Sequence, residues 1–283
     1  MNRLSRKERA AIIRALVEGN SLRSVTRLTG HSINTVSKLL VDIGAACAAY
    51  MDENVRYLDC KRIQADEIWA YCYAKARNVP EDKRDTFGYG DVWTWTALDP
   101  DTKLIVAWLV SDRSMGAARD FMADLASRVS MRVQITTDAN TSYKEAIDAA
   151  FGSEVDYAQL LKDYGIEQSE DASPTARRYS PNVVKSIEKR VVSGNPDPDH
   201  ITTSHVERNN LSMRMGMRRF TRLTNGFSKK VENHAAAVAL HFMFQNFARP
   251  MKVLANPYPR TPAMAAGIAD RIWTCEDIAA LLD

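Results

Sequence analysis

Three acids stand apart from the rest of the chain. Asp66 falls inside an aromatic and branched segment, CKRIQADEIWAYCYAKA (60–76), and Asp138 closes the apolar run RVQITTD (132–138). Glu207 is the lone acid of SHVERNNLSMR (204–214). A carboxylate is disfavoured in a strand interior, and burying one is costly unless it is paired or ligates a cation. Two strand positions and one helix could together offer hard oxygen ligands of the kind Mg²⁺ or Mn²⁺ takes. Two such ions about 3.5–4 Å apart clamp the attacking and leaving oxygens of a phosphodiester. Basic residues beside Glu207 would then hold backbone phosphates.

Each acid also has a plainer role open to it. Asp66 could be an edge-strand aspartate in water. It shares a strand face with Gln64 and Ile68 while Glu67 points the other way, so choosing Asp66 over Glu67 depends on register. Asp138 could be a turn or N-cap aspartate. Ser204-His-Val-Glu207 fits a capping box, and a first-turn glutamate suits the helix dipole. Arg214 lies seven residues after Glu207, on the same helical face two turns on. Arg218, Arg219 and Arg222 continue a basic stripe.

The elements that would position these residues fall into two parts. Residues 5–47 carry three helical patterns. Ser5-Arg-Lys-Glu8 fits a capping box, and Ile12, Ile13 and Leu16 form an apolar face. Gly19-Asn20 ends that helix, and Ser21 can cap a second bearing Leu22, Val25 and Leu28. Gly30 turns the chain, and Ser32 can cap a third helix with Ile33, Val36, Leu39, Leu40 and Ile43 inside. Asn34, Thr35, Ser37 and Lys38 are left outside, as on a helix-turn-helix whose third helix enters the DNA major groove. Short helical bundles of other kinds share this pattern.

Residues 50–59 read as a linker. Strands follow at 60–76, 91–99 and 103–111, with a turn at Asp99-Pro-Asp-Thr. Helical spacing at 115–129, a strand at 132–138, a helix at 140–151 and a strand near 154–161 complete an alternating run. This order predicts a mixed α/β layer fold. Residues 165–202 show little periodicity and read as an irregular insertion. Helical patterns return at 203–216 and 228–248, and 251–283 form a C-terminal tail.

Charge is uneven. Residues 1–40 hold eight Lys/Arg and two Asp/Glu, and residues 202–230 hold seven and one, so each block is +6 in a chain of net +3. Two basic blocks on an acidic body predict a polyanion touched at two places. The sequence has no apolar run near the ~20 residues of a membrane helix and no apolar core after its basic start, so a cytoplasmic protein without a membrane partner is expected. Cys47, Cys60, Cys72 and Cys275 form no CxxC pair and read as buried thiols. Nucleotide-cradle, hydrolase-elbow and HExxH signatures are absent.

Three stretches carry a family resemblance: DEIWAYCYAKAR (66–77), TDANTSYKEA (137–146) and the long HVERNNLSMRMGMRRFTRLTNGFSKKVENHAAAVALHFMFQNF (205–247). Across roughly residues 60–250 the chain resembles transposases of the insertion-sequence-one family, members of the DDE group. The resemblance implies a ribonuclease H-like mixed sheet flanked by helices over residues 60–250. A small all-α helix-turn-helix domain over 1–49 would precede it. It implies cleavage at transposon ends and joining of the freed 3′-hydroxyls to target DNA. Its acidic triad maps to Asp66, Asp138 and Glu207, its basic residue to Arg214, and its metal is Mg²⁺, with Mn²⁺ also suitable. Partners would be double-stranded DNA, as ends and as target, and further copies of the chain, because joining two ends needs two protomers. Some relatives carry an N-terminal zinc finger, for which this chain lacks the cysteine spacing. A purely hydrolytic ribonuclease H-fold nuclease or junction resolvase stays open, as does a non-catalytic helix-turn-helix regulator.

Overall fold

The computed structural model describes residues 4–165, 183–221 and 225–283. Three serines start the first three helices as their spacing predicts: Ser5 caps α1 (Arg6–Val17) in a capping box with Glu8, Ser21 caps α2 (Leu22–Thr29), and Ser32 caps α3 (Ile33–Asn54). Each hydroxyl accepts a first-turn amide that would otherwise lack a partner. Gly30 ends α2 with φ 75°, a left-handed value that glycine adopts without strain. Ile12, Val25, Val36 and Leu39 form a small core among the three helices.

α3 does not stop at the predicted linker of residues 50–59. It runs to Asn54, and its Leu40, Ile43, Cys47 and Met51 join the main core of the molecule. It packs along α7 (Val231–Met243), closest at Gly44, where a Cβ would stand 2.5 Å from Ala236. The N-terminal helices are therefore fixed to the α/β body by burial.

The sheet is mixed and six-stranded. β1 (Arg62–Cys72), β2 (Gly90–Leu98), β3 (Ile105–Ser111), β4 (Val133–Thr137), β5 (Val155–Gly165) and β6 (Val183–Ser193) lie in the order β3-β2-β1-β4-β5-β6. β1 to β3 form an antiparallel meander, β4 and β5 run parallel to β1, and β6 is antiparallel to β5. This order is compatible with a ribonuclease H-like fold. β6 falls where an irregular insertion is predicted. Its alternation is masked by charges (VVKSIEKRVVS), and its side chains from Val184 to Ser193 are exposed or only partly covered.

Helices cover both faces. Trp95 of β2 packs on Phe121 of α4 (Met115–Arg128) and Tyr143 of α5 (Thr141–Phe151). Trp108 of β3 packs on Phe242 of α7, on the opposite face, and α6 (Ser204–Gly216) lies against β1 and β2. The segment read as a tail is part of the fold. After α8 (Pro262–Ala265), α9 (Cys275–Ala280) buries Ile278 and Ala279 in the main core. Asp283 pairs with Arg6 and Arg9 of α1. All four cysteines are free and buried. Among the described residues, no helix is long and apolar enough to cross a membrane.

Candidate active site

β4 is shorter than β1, and that difference in length makes the site. The two strands pair only from Arg62↔Gln134 to Gln64↔Thr136, and β4 ends at Thr137. Beyond that point, among the described residues, β1 has no neighbour on this side until Cys72 bridges Ser228, which leaves a notch at its middle. Asp138 lies where the next β4 residue opposite Asp66 would fall.

Register fixes which way the β1 acids point. Glu67 pairs with Trp95 and so faces α4 and α5, while Asp66 pairs with Thr96, opposite Trp108, and faces α6. The two acids therefore leave opposite faces of the sheet, as alternation predicts. The notch lets both reach Asp138. Carboxylate oxygens of Asp66, Glu67 and Asp138 lie within 4.8 Å of one another. Alternation alone sets Glu67 aside from the site, because it assumes a neighbouring strand that is missing here.

Each carboxylate is held by its own neighbours. Asp66 Oδ2 accepts the side-chain amide of Asn210 at 2.8 Å, and Oδ1 accepts the backbone N–H of Glu67. Glu67 accepts from Asn140 at 3.0 Å and from Arg113 at 3.2 Å. Its side chain is 1% exposed, against 42% for Asp138, so the cluster opens to solvent on the Asp138 side. Asp138 accepts the backbone N–H of Asn140 at 2.9 Å, and Asn140 itself caps α5. The turn role foreseen for Asp138 is thus real, and it leaves the second carboxylate oxygen 4.0 Å from Arg113.

Burial and crowding raise the pKa values of Asp66 and Glu67. Burial, then the charges of Glu67 and Asp138, push the Asp66 carboxyl up to about 7; Glu207 adds a smaller repulsion. Burial, then Asp138, raise Glu67 as well, opposed by Arg113 and Asn140. Tyr143, fully buried beneath Glu67, is held well above its ordinary value by burial and by that carboxylate. This is negative charge with too little positive charge to balance it.

Glu207 comes close without joining the cluster. The Ser204 capping box does not form: Thr203 is the N-cap, and it makes no side-chain cap bond. Gln64 instead caps α6 from the sheet, accepting the N–H groups of His205 and Val206 at 2.9 and 3.2 Å. With Asn210 on Asp66, two β1 side chains fix the axis of α6. Glu207 points from its first turn toward Lys162 of β5, with which it forms an ion pair, and accepts the Thr203 hydroxyl at 2.6 Å. Arg214 is half-buried two turns further along α6.

The predicted DNA contacts divide. Arg218 is exposed, whereas Arg219 turns its guanidinium inward onto Ser228 at 2.7 Å and is depressed by burial. Ser228 also shares a hydrogen bond with buried His234. Arg222 lies outside the described residues. On α3, Ser37 accepts the side chain of Asn233 on α7 at 3.1 Å, Thr35 bonds the Ser32 hydroxyl, and Lys38 pairs with Asp42. Asn34 is exposed. The outward polar face of α3 is therefore narrower than its helical wheel suggests, because one flank lies on α7.

No protein-family model matches the chain, and comparison with curated proteins finds no match.

Proposed function

We propose that the chain is a metal-dependent DNA phosphoryl transferase, a transposase of the insertion-sequence-one type built on a ribonuclease H-like domain. The observation that carries this reading is the convergence of Asp66, Glu67 and Asp138 in a notch open on one side. The donor set fits a hard divalent cation: three carboxylates lie within reach of one ion, and the raised Asp66 marks charge that a cation would neutralise. Asp66 and Asp138 would hold Mg²⁺ or Mn²⁺, with Glu67 behind them and Glu207 completing a second position once released from Lys162. A bound ion would polarise the phosphodiester and stabilise the charge that develops on its oxygens.

The remaining roles belong to the chain itself. Asn210 and Asn140 orient Asp66 and Glu67, each donating a single hydrogen bond from its side-chain amide. Arg113, stacked on Trp93 at 4.6 Å, offers a guanidinium at the mouth of the cluster for a phosphate oxygen. In the first reaction water attacks the phosphorus at a transposon end, and the bond to the 3′-oxygen breaks, leaving a 3′-hydroxyl. In the second, that hydroxyl attacks a target phosphodiester and displaces its 3′-oxygen. Residues 1–49 would recognise the ends as a helix-turn-helix, and two protomers would bring two ends together.

The test uses the full chain with supercoiled DNA and Mg²⁺ or Mn²⁺. Nicking by the wild type that is lost in Asp66→Ala, with DNA binding kept, supports the reading. Nicking or joining that survives Asp66→Ala sinks it. Joining of pre-cut 3′-hydroxyl ends separates a transposase from a nuclease that only hydrolyses.

A further inference from the structure

The two basic blocks of the sequence meet. A groove of about 710 Å³ runs between α1–α3 and residues 216–219, 225–230 and α7. Arg23 contributes from the first block, and Arg218, Lys229 and Lys230 from the second; all four are exposed. No aspartate or glutamate occurs among its described lining residues, and none of the four pairs with a carboxylate among the described residues. Apolar side chains lie among these cations: Ile33 is 43% exposed, and the Phe227 ring lies beneath the Lys229 ammonium. In a molecule with 35 acids, a groove whose described lining has none while it gathers cations from two stretches far apart in sequence is organised for an anion.

We infer that this groove binds one strand of nucleic acid, with phosphates on the cationic rim and bases against the apolar side chains. The inference deepens the proposed function and rests on its nucleic-acid substrate. The groove is concave, because Ser37 and Leu40 of α3 are drawn against α7, and its volume suits a small ligand. Exposed apolar side chains set among cations offer contact to base faces, which a single strand presents and a duplex keeps stacked inside. An acidic peptide would satisfy the rim but would have less use for exposed apolar side chains than stacked bases do. Asn34, on the groove wall, would therefore meet a separated strand.

α6 sets the distance to the acids. Glu207 sits in its first turn and Gly216, which lines the groove, ends it. Nine residues at 1.5 Å rise give about 14 Å along the axis. At 3.4 Å per base step of one strand this is about four steps from Glu207. A strand unpaired near the cleavage point is thus gripped while a phosphate several steps away reaches Asp66 and Asp138.

Fluorescence anisotropy of labelled oligothymidylate and of a labelled duplex, with the full chain in EDTA, tests this. Omitting metal keeps the result independent of the catalytic reading, which the Asp66→Ala nicking assay judges separately. Arg218→Glu with Lys230→Glu should weaken single-strand binding at least tenfold. The same pair should flatten the salt dependence by about 1.4 in log–log slope, two phosphates at about 0.7 each. Ile33→Ala should weaken single strands severalfold and leave the duplex unchanged. Lys252→Glu, an exposed lysine elsewhere, serves as the charge control. If the double charge reversal misfolds by circular dichroism, Arg218→Gln with Lys230→Gln replaces it, with the same slope change expected. Unchanged single-strand affinity overturns the proposal. So do equal losses for single strand and duplex, an equal loss in Lys252→Glu, or displacement of the oligonucleotide by polyglutamate as readily as by unlabelled strand.

Discussion

The two ends of α6 carry opposite charge in opposite surroundings. Beside its first two turns, carboxylates crowd into a notch, partly or fully buried, with Arg113 as the cation nearest Glu67 and Asp138. At its last turn, cations line an open groove from which described acids are absent. Burial makes the difference. Like charges in water repel weakly and are screened, whereas like charges under a protein roof raise one another's pKa. The acid cluster therefore stores unfavourable energy in the metal-free chain, and the groove stores almost none.

The largest expected effect breaks the cluster at its centre. A carboxyl raised from 3.8 to about 7 by folding favours the protonated native state. The native state then binds more protons than the unfolded chain between those values, so stability falls as pH rises through that window. The penalty is complete above about pH 7 and absent below about pH 4. Asp66→Asn removes it and keeps an acceptor for Asn210. The metal-free variant should be more stable than wild type at pH 8, by an amount on the order of 2–4 kcal/mol, and no different near pH 4. Urea melts at both values check this; equal stability at pH 8 means the cluster is better compensated than its geometry indicates.

Smaller in scale is the pH dependence of metal binding. A divalent ion must displace the Asp66 proton, so affinity should climb about tenfold per pH unit below about 7 and level off above it. Calorimetric titration with Mn²⁺ from pH 5.5 to 8.5 measures the slope. A flat profile would place the ion away from Asp66.

Smaller again is the effect of Lys162, which separates Glu207 from the other acids. The ion pair is partly buried, with Lys162 17% exposed. If Glu207 completes the metal site, Lys162 competes with the ion, and Lys162→Met should tighten Mn²⁺ severalfold. If Glu207 serves only to hold β5 against α6, Lys162→Met should leave metal affinity alone and cost roughly 1 kcal/mol of stability. The same titration with a melt decides between the two.

How much of this was legible depended on how local the cause was. The capping serines, the meander and the alternation that gives Asp66 and Glu67 opposite faces are all determined by neighbours in sequence, and they are found where spacing puts them. The notch is not local. It follows from β4 ending one residue short of Asp66's level, a pairing fact that no periodicity within β1 contains, and so Glu67 went unselected. The cap of α6 was misplaced for the same reason: Gln64, far away in sequence, satisfies the amides that Ser204 seemed spaced to reach. Charge also hid β6, whose exposed alternation reads as loop.

The smallest expected effect sharpens the contrast by its size. Neutralising Arg218 and Lys230 with glutamine removes two exposed cations that pair with no described acid. Nothing in the folded chain relies on their charge, so stability should stay within about 0.5 kcal/mol of wild type at every pH. Asp66→Asn, by comparison, should move it severalfold more and only above pH 4. A melt of the glutamine pair beside Asp66→Asn measures both regions on one scale. If the groove variants lose more than about 1 kcal/mol, their cations are structural and their place on the rim reflects packing. If they lose nothing while the salt slope of strand binding drops, their charge faces outward to a ligand. Function then sits at both ends of α6, at a cost in stability only where the charge is buried.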